Sequence, residues 1–482
     1  MFRFPFRAAN NYRPGNRNSR SKGYPSSYGR SAKKKSIPLL WILALIPATL
    51  VGLEVLLRVG VRMTGKDADL SGFGGEASRI SAYRMRPMTY DGHGIAGLTP
   101  GTLQVRSSGL TGYELVPNQS VKTPSTTGQT ELFHINDQGL RAVEPVAIQK
   151  SAGEVRVLLL GSSTAFGTLS SANEGTIARS LEMQLNQQVQ DQKNNAKQFR
   201  PDVLPYFADE MEKALKLPPK IRPGQYRVIN AAVPGYLTSN ALSQLSSQLL
   251  DYQPDVVVLI DGYSDLLVKS DRQVATLGVI DQALTNATGY FSSSVSQGLA
   301  DLWNQIYLVK VTNAWVISPN PRSELLADVS SPLSSSQGTL VDRLSEDSAE
   351  VEKRVDRRTR ALAKMLQLTR SRKIPLLVGL TPELSQRKSL TPNEKKLLDS
   401  LGDRYPKLIQ AQYTQLLDAQ KKLPGLTPVS LQDAVMTLTS KDQQAFVDAV
   451  HLTDNANVAI AKSLITAIAP TLYVEPKPYR AE

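Results

Sequence analysis

A cluster of hydroxyl side chains follows a strongly apolar run in the chain. The stretch VRVLLLGSSTAFG, residues 155–167, ends its branched apolar residues at Gly161 and continues with Ser162 and Ser163 before Gly167. A serine is a weak nucleophile at neutral pH unless a base accepts its proton, and acyl transfer also needs N–H groups directed at the oxyanion. A tight turn between a strand and a helix supplies both exposure and amides. The alternative is a plain turn in which a hydroxyl caps the helix.

A candidate base lies in the segment VDAVHLTD, where Asp448 precedes His451 by three residues. That spacing lets the carboxylate bond the imidazole within one turn and fix its tautomer, as a triad carboxylate does. The alternative is a structural or surface histidine. The other histidines, His93 and His134, are distant, no HExxH spacing occurs, and the chain has no cysteine. We therefore expect no metal and no cofactor, and no thiolate nucleophile.

Apolar runs of strand length recur from residue 154 onward and alternate with helical patterns. Because continuously apolar strands that alternate with helices are typical of a parallel sheet covered on both faces, the fold class is α/β. The predicted strands are 154–161, 226–232, 255–262, 374–380 and 427–433. The predicted helices are 173–193, 238–251, 346–372, 391–422 and 455–468.

Ligands of an open parallel sheet lie beyond the carboxyl ends of its strands. The first predicted strand leads into the serine cluster, the second into Gly235 and the third into Gly262, Ser264 and Asp265. The fifth leads, through a short helix, to the segment with Asp448 and His451. These positions should therefore meet at one edge, as nucleophilic acyl chemistry requires.

The order of GSSTAFG, NAAVPGY, GYSD and DAVH, within about residues 154–470, resembles the four blocks of the SGNH (GDSL-type) hydrolases. Those blocks are GDSxxxG, an isolated glycine, GxND and DxxH. The resemblance implies an SGNH/flavodoxin-like three-layer sandwich with a five-stranded parallel sheet. It also implies a role for each matching residue, namely nucleophile Ser163, base His451, its partner Asp448, and oxyanion donors Ser163, Gly235 and Ser264. The segment FHINDQGLRA, residues 133–142, is similar to an element that precedes the domain in membrane-anchored members.

Two positions depart from the blocks of this family. Ser162 stands where the family often has Asp, and Ser264 replaces the asparagine whose amide is an oxyanion donor. Serine is shorter and carries one hydroxyl, and loss of one oxyanion donor typically costs ~10²–10³ in rate. Asp265 cannot substitute, because a carboxylate repels an oxyanion. A binding or assembly module without catalytic activity is therefore an alternative to an active enzyme.

The charge of the chain is concentrated at its N-terminus. The net charge is +13, but residues 1–36 contain ten Lys or Arg and no Asp or Glu, which leaves 46 basic against 43 acidic residues elsewhere. Aromatic residues between these charges are compatible with RNA binding, yet the apolar run that follows favours a disordered arm beside a membrane, with no nucleic-acid partner. Residues 37–53 carry no charge, and we predict a transmembrane helix at 37–61 rather than a cleaved signal peptide.

The basic residues Lys33, Lys34 and Lys35 before this span predict a cytoplasmic N-terminus. The rest is then extracytoplasmic, with a linker and small β-containing segment at 62–150 and an SGNH-like domain at 151–475. Inserts at 194–224 and 266–345 interrupt the domain, and the longer one is either a lid or a decoration. The sequence thus predicts a single-pass, membrane-anchored serine esterase acting on an ester or an acylated carbohydrate. An O-acyltransferase acting on an envelope polysaccharide is the alternative with the same chemistry. The N-terminal helix would contact membrane lipid, and the sequence does not identify protein partners.

Overall fold

The computed structural model describes residues 80–83, 103–108, 111–125, 128–271, 340–436, 438 and 443–479. Within these ranges, no helix combines the length and the apolar character that a membrane crossing requires. The predicted tail at 1–36, the predicted span at 37–61 and most of the predicted insert at 266–345 lie outside the described residues.

Two small antiparallel sheets precede the main domain. The first contains β1 (Ile80–Tyr83), β2 (Leu103–Ser108) and β3 (Gly112–Leu115), in that order. The second is a hairpin of β4 (Gln119–Ser125) and β5 (Gly128–Ile135). Their buried apolar side chains, among them Phe133 and Ile135, join the hydrophobic core on one face of the main sheet.

The main sheet has five parallel strands. They are β6 (Glu154–Gly161), β7 (Gln225–Asn230), β8 (Val256–Asp261), β9 (Leu376–Leu380) and β10 (Thr427–Val429). Their order across the sheet is β10-β9-β8-β6-β7, which puts β6 between β7 and β8. The predicted α/β class and five-stranded parallel sheet are confirmed, and β6 has its predicted bounds.

Eleven α-helices are found in the described residues. They are α1 (Ser163–Phe166), α2 (Ile177–Asn194), α3 (Ala208–Lys216), α4 (Thr238–Ser247), α5 (Tyr263–Leu267), α6 (Leu340–Arg343), α7 (Ser348–Ser371), α8 (Pro392–Leu401), α9 (Arg404–Lys421), α10 (Leu431–Met436) and α11 (Asp454–Leu472).

The sheet lies between two helical layers. Successive side chains of a strand point to opposite faces, so Val157 and Leu159 pack with α2 and α11 while Leu158 and Leu160 pack with α4 and α7. All four side chains are fully buried. This two-sided burial explains why β6 is continuously apolar, and it fixes the strand end that carries the serine cluster.

Two predicted helices are shorter in the structure, since α2 begins at Ile177 rather than 173 and α4 ends at Ser247 rather than 251. Two further predicted elements differ in more than their end residues. The predicted helix at 391–422 is two helices, α8 and α9, because the chain turns at Gly402. The predicted strand at 427–433 is strand only to Val429, since Leu431 already begins α10. Neither difference moves a candidate site residue.

Candidate active site

Two glycines force the turn that carries the serine cluster. Gly161 has a φ of +144°, and a Cβ atom there would lie 2.0 Å from the carbonyl oxygen of Ile260 on the neighbouring strand. Gly167 ends α1 with a φ of +82°, where a Cβ would meet Ser170 Oγ at 2.9 Å. Residues other than glycine rarely adopt these backbone conformations. The chain therefore turns sharply out of β6, and half-buried Ser163 becomes the first residue of α1.

The hydroxyl of Ser162 does not cap this helix, although the residue occupies the N-cap position. Its Oγ atom instead accepts a hydrogen bond from the backbone N–H of Gly235 at 3.1 Å. It accepts a second from the Oγ of Ser264 at 2.8 Å. For Ser162, the interpretation as a helix cap is therefore wrong, and its hydroxyl joins three strand ends.

Gly235 and Ser264 are brought from the neighbouring strands to the turn at residues 161–167, called the serine turn below. Gly235 follows β7, and Ser264 lies in α5 directly after β8. Next to Ser264, Asp265 accepts from the hydroxyl of Thr238 at 2.7 Å and so ties α5 to the start of α4. Burial raises the pKa of Asp265, and the nearby Arg358 and Arg357 counteract that rise only in part. Asp265 thus acts as a buried tie between two strand ends.

Asp448 and His451 form a hydrogen-bonded pair. The distance from His451 Nδ1 to Asp448 Oδ2 is 2.5 Å, and Asp448 Oδ1 also accepts from the backbone N–H groups of Val450 and His451. Burial acts to raise the pKa of Asp448, but His451 and the backbone hydrogen bonds outweigh it, so the pKa is lowered. Asp448 is therefore ionised at neutral pH, and His451 Nδ1 is held as the donor.

The serine turn is in direct contact with the turn at residues 445–453 that carries Asp448 and His451, called the histidine hairpin below. The hydroxyl of Thr164, the residue after Ser163, donates to the carbonyl of Val450, the residue before His451, at 3.1 Å. His451 is 5% exposed, and among the described residues its Nε2 atom has no hydrogen-bond partner. The nitrogen that a nucleophile would use as base is thus not occupied by another side chain.

The turn that carries Asp448 and His451 is closed on itself. Val447 N–H donates to the carbonyl of His451 at 2.8 Å, and Thr453 N–H donates to that of Ala445 at 2.9 Å. Phe446 and Leu452 form an antiparallel bridge. These bonds hold the hairpin as a rigid element. The position of its base, at Ala445 and Phe446, therefore determines where His451 lies.

A buried glutamate holds the base of this hairpin. Glu394 Oε1 accepts from the backbone N–H of Ala445 at 2.8 Å and from that of Phe446 at 3.0 Å. Its Oε2 accepts from Thr391 N–H and lies 3.2 Å from Nε of Arg387. Sequence reasoning missed this role. The Thr391-x-x-Glu394 spacing indicates a capping box, but not the second use of the carboxylate.

A second residue that sequence reasoning missed is Arg141, within the segment 133–142. Its buried guanidinium donates to the carbonyl of Phe166 at 2.7 Å and lies 4.8 Å from the centre of the Phe166 ring. Burial lowers the pKa of Arg141 to about 9, although Asp454 acts against that decrease. The contact secures the end of α1, and the LRA pattern could have drawn attention to it.

Another titratable group lies close to the histidine hairpin. The buried Glu383 follows β9, and its neighbour Leu384 donates a backbone hydrogen bond to Ala449 at 2.9 Å. Burial raises the pKa of Glu383 to about 7, although hydrogen bonds from Ser385 act to lower it.

In the described part of the chain, no set of three or more His, Cys, Asp or Glu side chains could hold a metal ion.

Comparison with known proteins gives structural neighbours only. No protein-family model matches the chain, and no curated protein matches its sequence. The lipase/acylhydrolase from Enterococcus faecalis is 14% identical, with a TM-score of 0.33, and the match covers 68% of this chain and 100% of that one. A GDSL-like lipase from Bacteroides thetaiotaomicron is 12% identical, with a TM-score of 0.28, and the match covers 67% of this chain and 92% of that one. A catalytic mutant of the acetylxylan esterase Axe2 from Geobacillus stearothermophilus is 9% identical, with a TM-score of 0.31, and the match covers 68% of this chain and 97% of that one. At these values the likeness assigns no activity to this chain.

Proposed function

We propose that the chain is a serine esterase of SGNH type in which Ser163 is the nucleophile, His451 the base and Asp448 its orienting partner. One observation carries this proposal. The Thr164–Val450 hydrogen bond joins the serine turn to the turn that carries the Asp448–His451 pair, and Nε2 of His451 has no hydrogen-bond partner among the described residues. A structural histidine in a buried site would be expected to use both ring nitrogens.

The proposed reaction is a double displacement on an ester. Ser163 Oγ forms a bond to the carbonyl carbon while its proton passes to His451 Nε2. The carbonyl oxygen becomes an oxyanion, which the N–H groups of Ser163 and Gly235 and the hydroxyl of Ser264 would stabilise. Collapse breaks the bond to the alcohol, which takes the proton from His451. Water then releases the acid by the same steps in reverse.

The acceptor in the second step distinguishes the two chemical alternatives. Water gives an esterase, and a sugar hydroxyl gives an O-acyltransferase. We propose esters or acylated carbohydrates as substrates, and an extracytoplasmic site tethered by residues 37–61. This location rests on the uncharged run at 37–53 and on the three lysines before it.

The test is product analysis with the full-length protein and acetylated oligosaccharides. Free acetate in the parent, absent with Ser163→Ala, supports the esterase. Acetyl groups on an added unacetylated glycan, again lost in Ser163→Ala, would reassign the protein as an acyltransferase. If neither product forms, the proposal fails in favour of the inactive binding module, and a product that does not depend on Ser163 would refute the assignment of the nucleophile. That module has support in the structure, because Ser162 already engages both Gly235 N–H and Ser264 Oγ.

A further inference from the structure

We propose that the Ser162 hydroxyl blocks the oxyanion site of the resting enzyme and that the substrate carbonyl must displace it. This inference rests on the proposed function, since it concerns the same site. It adds a role for Ser162, which directly precedes the nucleophile and takes no part in the proton transfer. Ser162 is a positioning residue in this account, because it acts on the donors rather than on the substrate.

The two donors other than the Ser163 amide converge on a single acceptor. Gly235 has one N–H, and it points at Ser162 Oγ from 3.1 Å. Ser264 has one hydroxyl proton, and its Oγ lies 2.8 Å from the same atom. An oxyanion needs donors at about 2.7–3.1 Å from its own position. Ser162 Oγ therefore occupies a point that meets the distance requirement for both donors, and neither donor has a second proton to give.

The surroundings make this arrangement stable. Ser162 and Ser264 are each 5% exposed, so water does not readily replace either partner. The backbone of Ser162 is fixed by the Gly161 turn, which leaves rotation about its Cα–Cβ bond as the simplest way to release the donors. The exchange involves hydrogen bonds only. An ester carbonyl oxygen takes the place of a hydroxyl oxygen as acceptor, and no covalent bond changes.

Ser162 also contacts the other position that departs from the family blocks. An Asp–Asn combination in those blocks corresponds here to two serines whose hydroxyls bond each other. Neither serine can therefore be judged separately from the other. The weaker third donor expected from Ser264 is, in this structure, a donor already committed to Ser162.

The experiment measures the second-order rate constant of labelling by a fluorophosphonate in the full-length protein. We expect Ser162→Ala to react about 5-fold faster than the parent. In the parent, the reagent must break the hydrogen bonds to Ser162, and about 5-fold is the rate factor that corresponds to the net free energy of one hydrogen bond. Ser162→Thr retains the hydroxyl and should not be faster than the parent. Ser239→Ala is the matched control, because it removes a buried hydroxyl that has no hydrogen-bond partner among the described residues. It should label at the parental rate.

A Ser162→Ala protein that is folded, as judged by its melting temperature, yet labels at the parental rate or more slowly would overturn the inference. Failure of every variant to label would instead contradict the proposed function. In that case, the hydrogen bond from Gly235 N–H to Ser162 is tested by NMR on protein labelled with ¹⁵N-glycine. Loss of the Ser162 acceptor should move the Gly235 amide proton upfield in Ser162→Ala, and an unchanged signal would overturn the inference.

Discussion

Asp448 Oδ2 lies 2.5 Å from His451 Nδ1, and the same carboxylate accepts two backbone N–H groups of its own turn. Asp448→Asn should leave the turn folded, because the side-chain oxygen of asparagine can still accept from Val450 and His451. The amide nitrogen would face Nδ1 and favour the wrong tautomer. We expect kcat for ester hydrolysis to fall by about 10⁴ with the melting temperature nearly unchanged.

The control for that change is Asp454→Asn, three residues after His451. Asp454 accepts from the N–H of Ser171 at 3.1 Å and begins α11, so it shares the charge and the neighbourhood but not the imidazole contact. It should retain kcat within a few-fold. Equal losses in the two variants would show that Asp448 acts only through the fold.

The oxyanion site should improve when its third donor is lengthened. In a Ser162→Ala background, Ser264→Asn places a carboxamide with two N–H groups where a hydroxyl is now bonded to Ser162. We expect kcat to rise at least roughly tenfold above Ser162→Ala alone, since one oxyanion donor is worth more than that in other enzymes. Steady-state kinetics with an activated acetyl ester checks this. A fall in kcat with an intact fold would mean that Ser264 lies outside the hole.

Glu394 should matter for catalysis although it does not touch the substrate. In Glu394→Gln the buried Arg387 cation loses its ionised partner, which costs on the order of 3–5 kcal/mol. The one remaining oxygen would face that cation, so the amide nitrogen would face the N–H groups of Ala445 and Phe446, which lose their acceptor. We expect the hairpin at 445–453 to lose its fixed position, with a lower kcat, a nearly unchanged KM and a lower melting temperature.

A matched variant separates this effect from helix capping. Thr391→Ala removes the hydroxyl that caps α8 but leaves the Glu394 bonds to Ala445 and Phe446 in place. It should cost about 1 kcal/mol of stability without changing kcat. If Thr391→Ala lowers kcat as much as Glu394→Gln, the carboxylate has no specific role in placing His451.

The order of the elements and the meeting of the strand ends could be predicted from sequence. Continuous apolar runs reveal buried parallel strands, and the carboxyl-end rule then collects Ser163, Gly235 and Ser264 at one edge. The Asp448–His451 pair is equally readable, because three residues of separation fit one turn.

The side-chain partners could not be predicted in this way. The Ser162 hydroxyl has two plausible uses in a strand–helix turn, as a helix cap or as a tertiary acceptor, and local propensity favours the cap. Glu394 reaches a hairpin some fifty residues away, and Arg141 reaches α1 from outside the sheet. Such contacts depend on how separate segments pack, and no local period encodes them.

Stability should depend on pH through Glu383. Because burial raises its pKa from 4.5 to about 7, the folded protein keeps the proton in a range where the unfolded chain has already released it. The contribution of this group is therefore fully present below the unfolded pKa, decreases as pH rises toward about 7, and stays lost above it. The loss is on the order of 3 kcal/mol.

Glu383→Gln removes that titration. Chemical denaturation at about pH 5 and about pH 8 should show a smaller fall in the free energy of unfolding for the variant than for the parent. Using the difference between the two proteins cancels the contribution of Asp261 and Asp265, whose pKa values burial also raises. Identical pH dependence in both proteins would mean that Glu383 is ionised in the fold.

The most direct test of the catalytic assignment is the position of a covalent fluorophosphonate adduct. After reaction of the full-length protein and proteolysis, fragmentation by mass spectrometry distinguishes Ser162, Ser163 and Thr164, which are adjacent. We predict the phosphonyl group on Ser163 Oγ, with no adduct in Ser163→Ala and a much slower reaction in His451→Ala. An adduct on another residue, or labelling that does not depend on His451, would contradict the account.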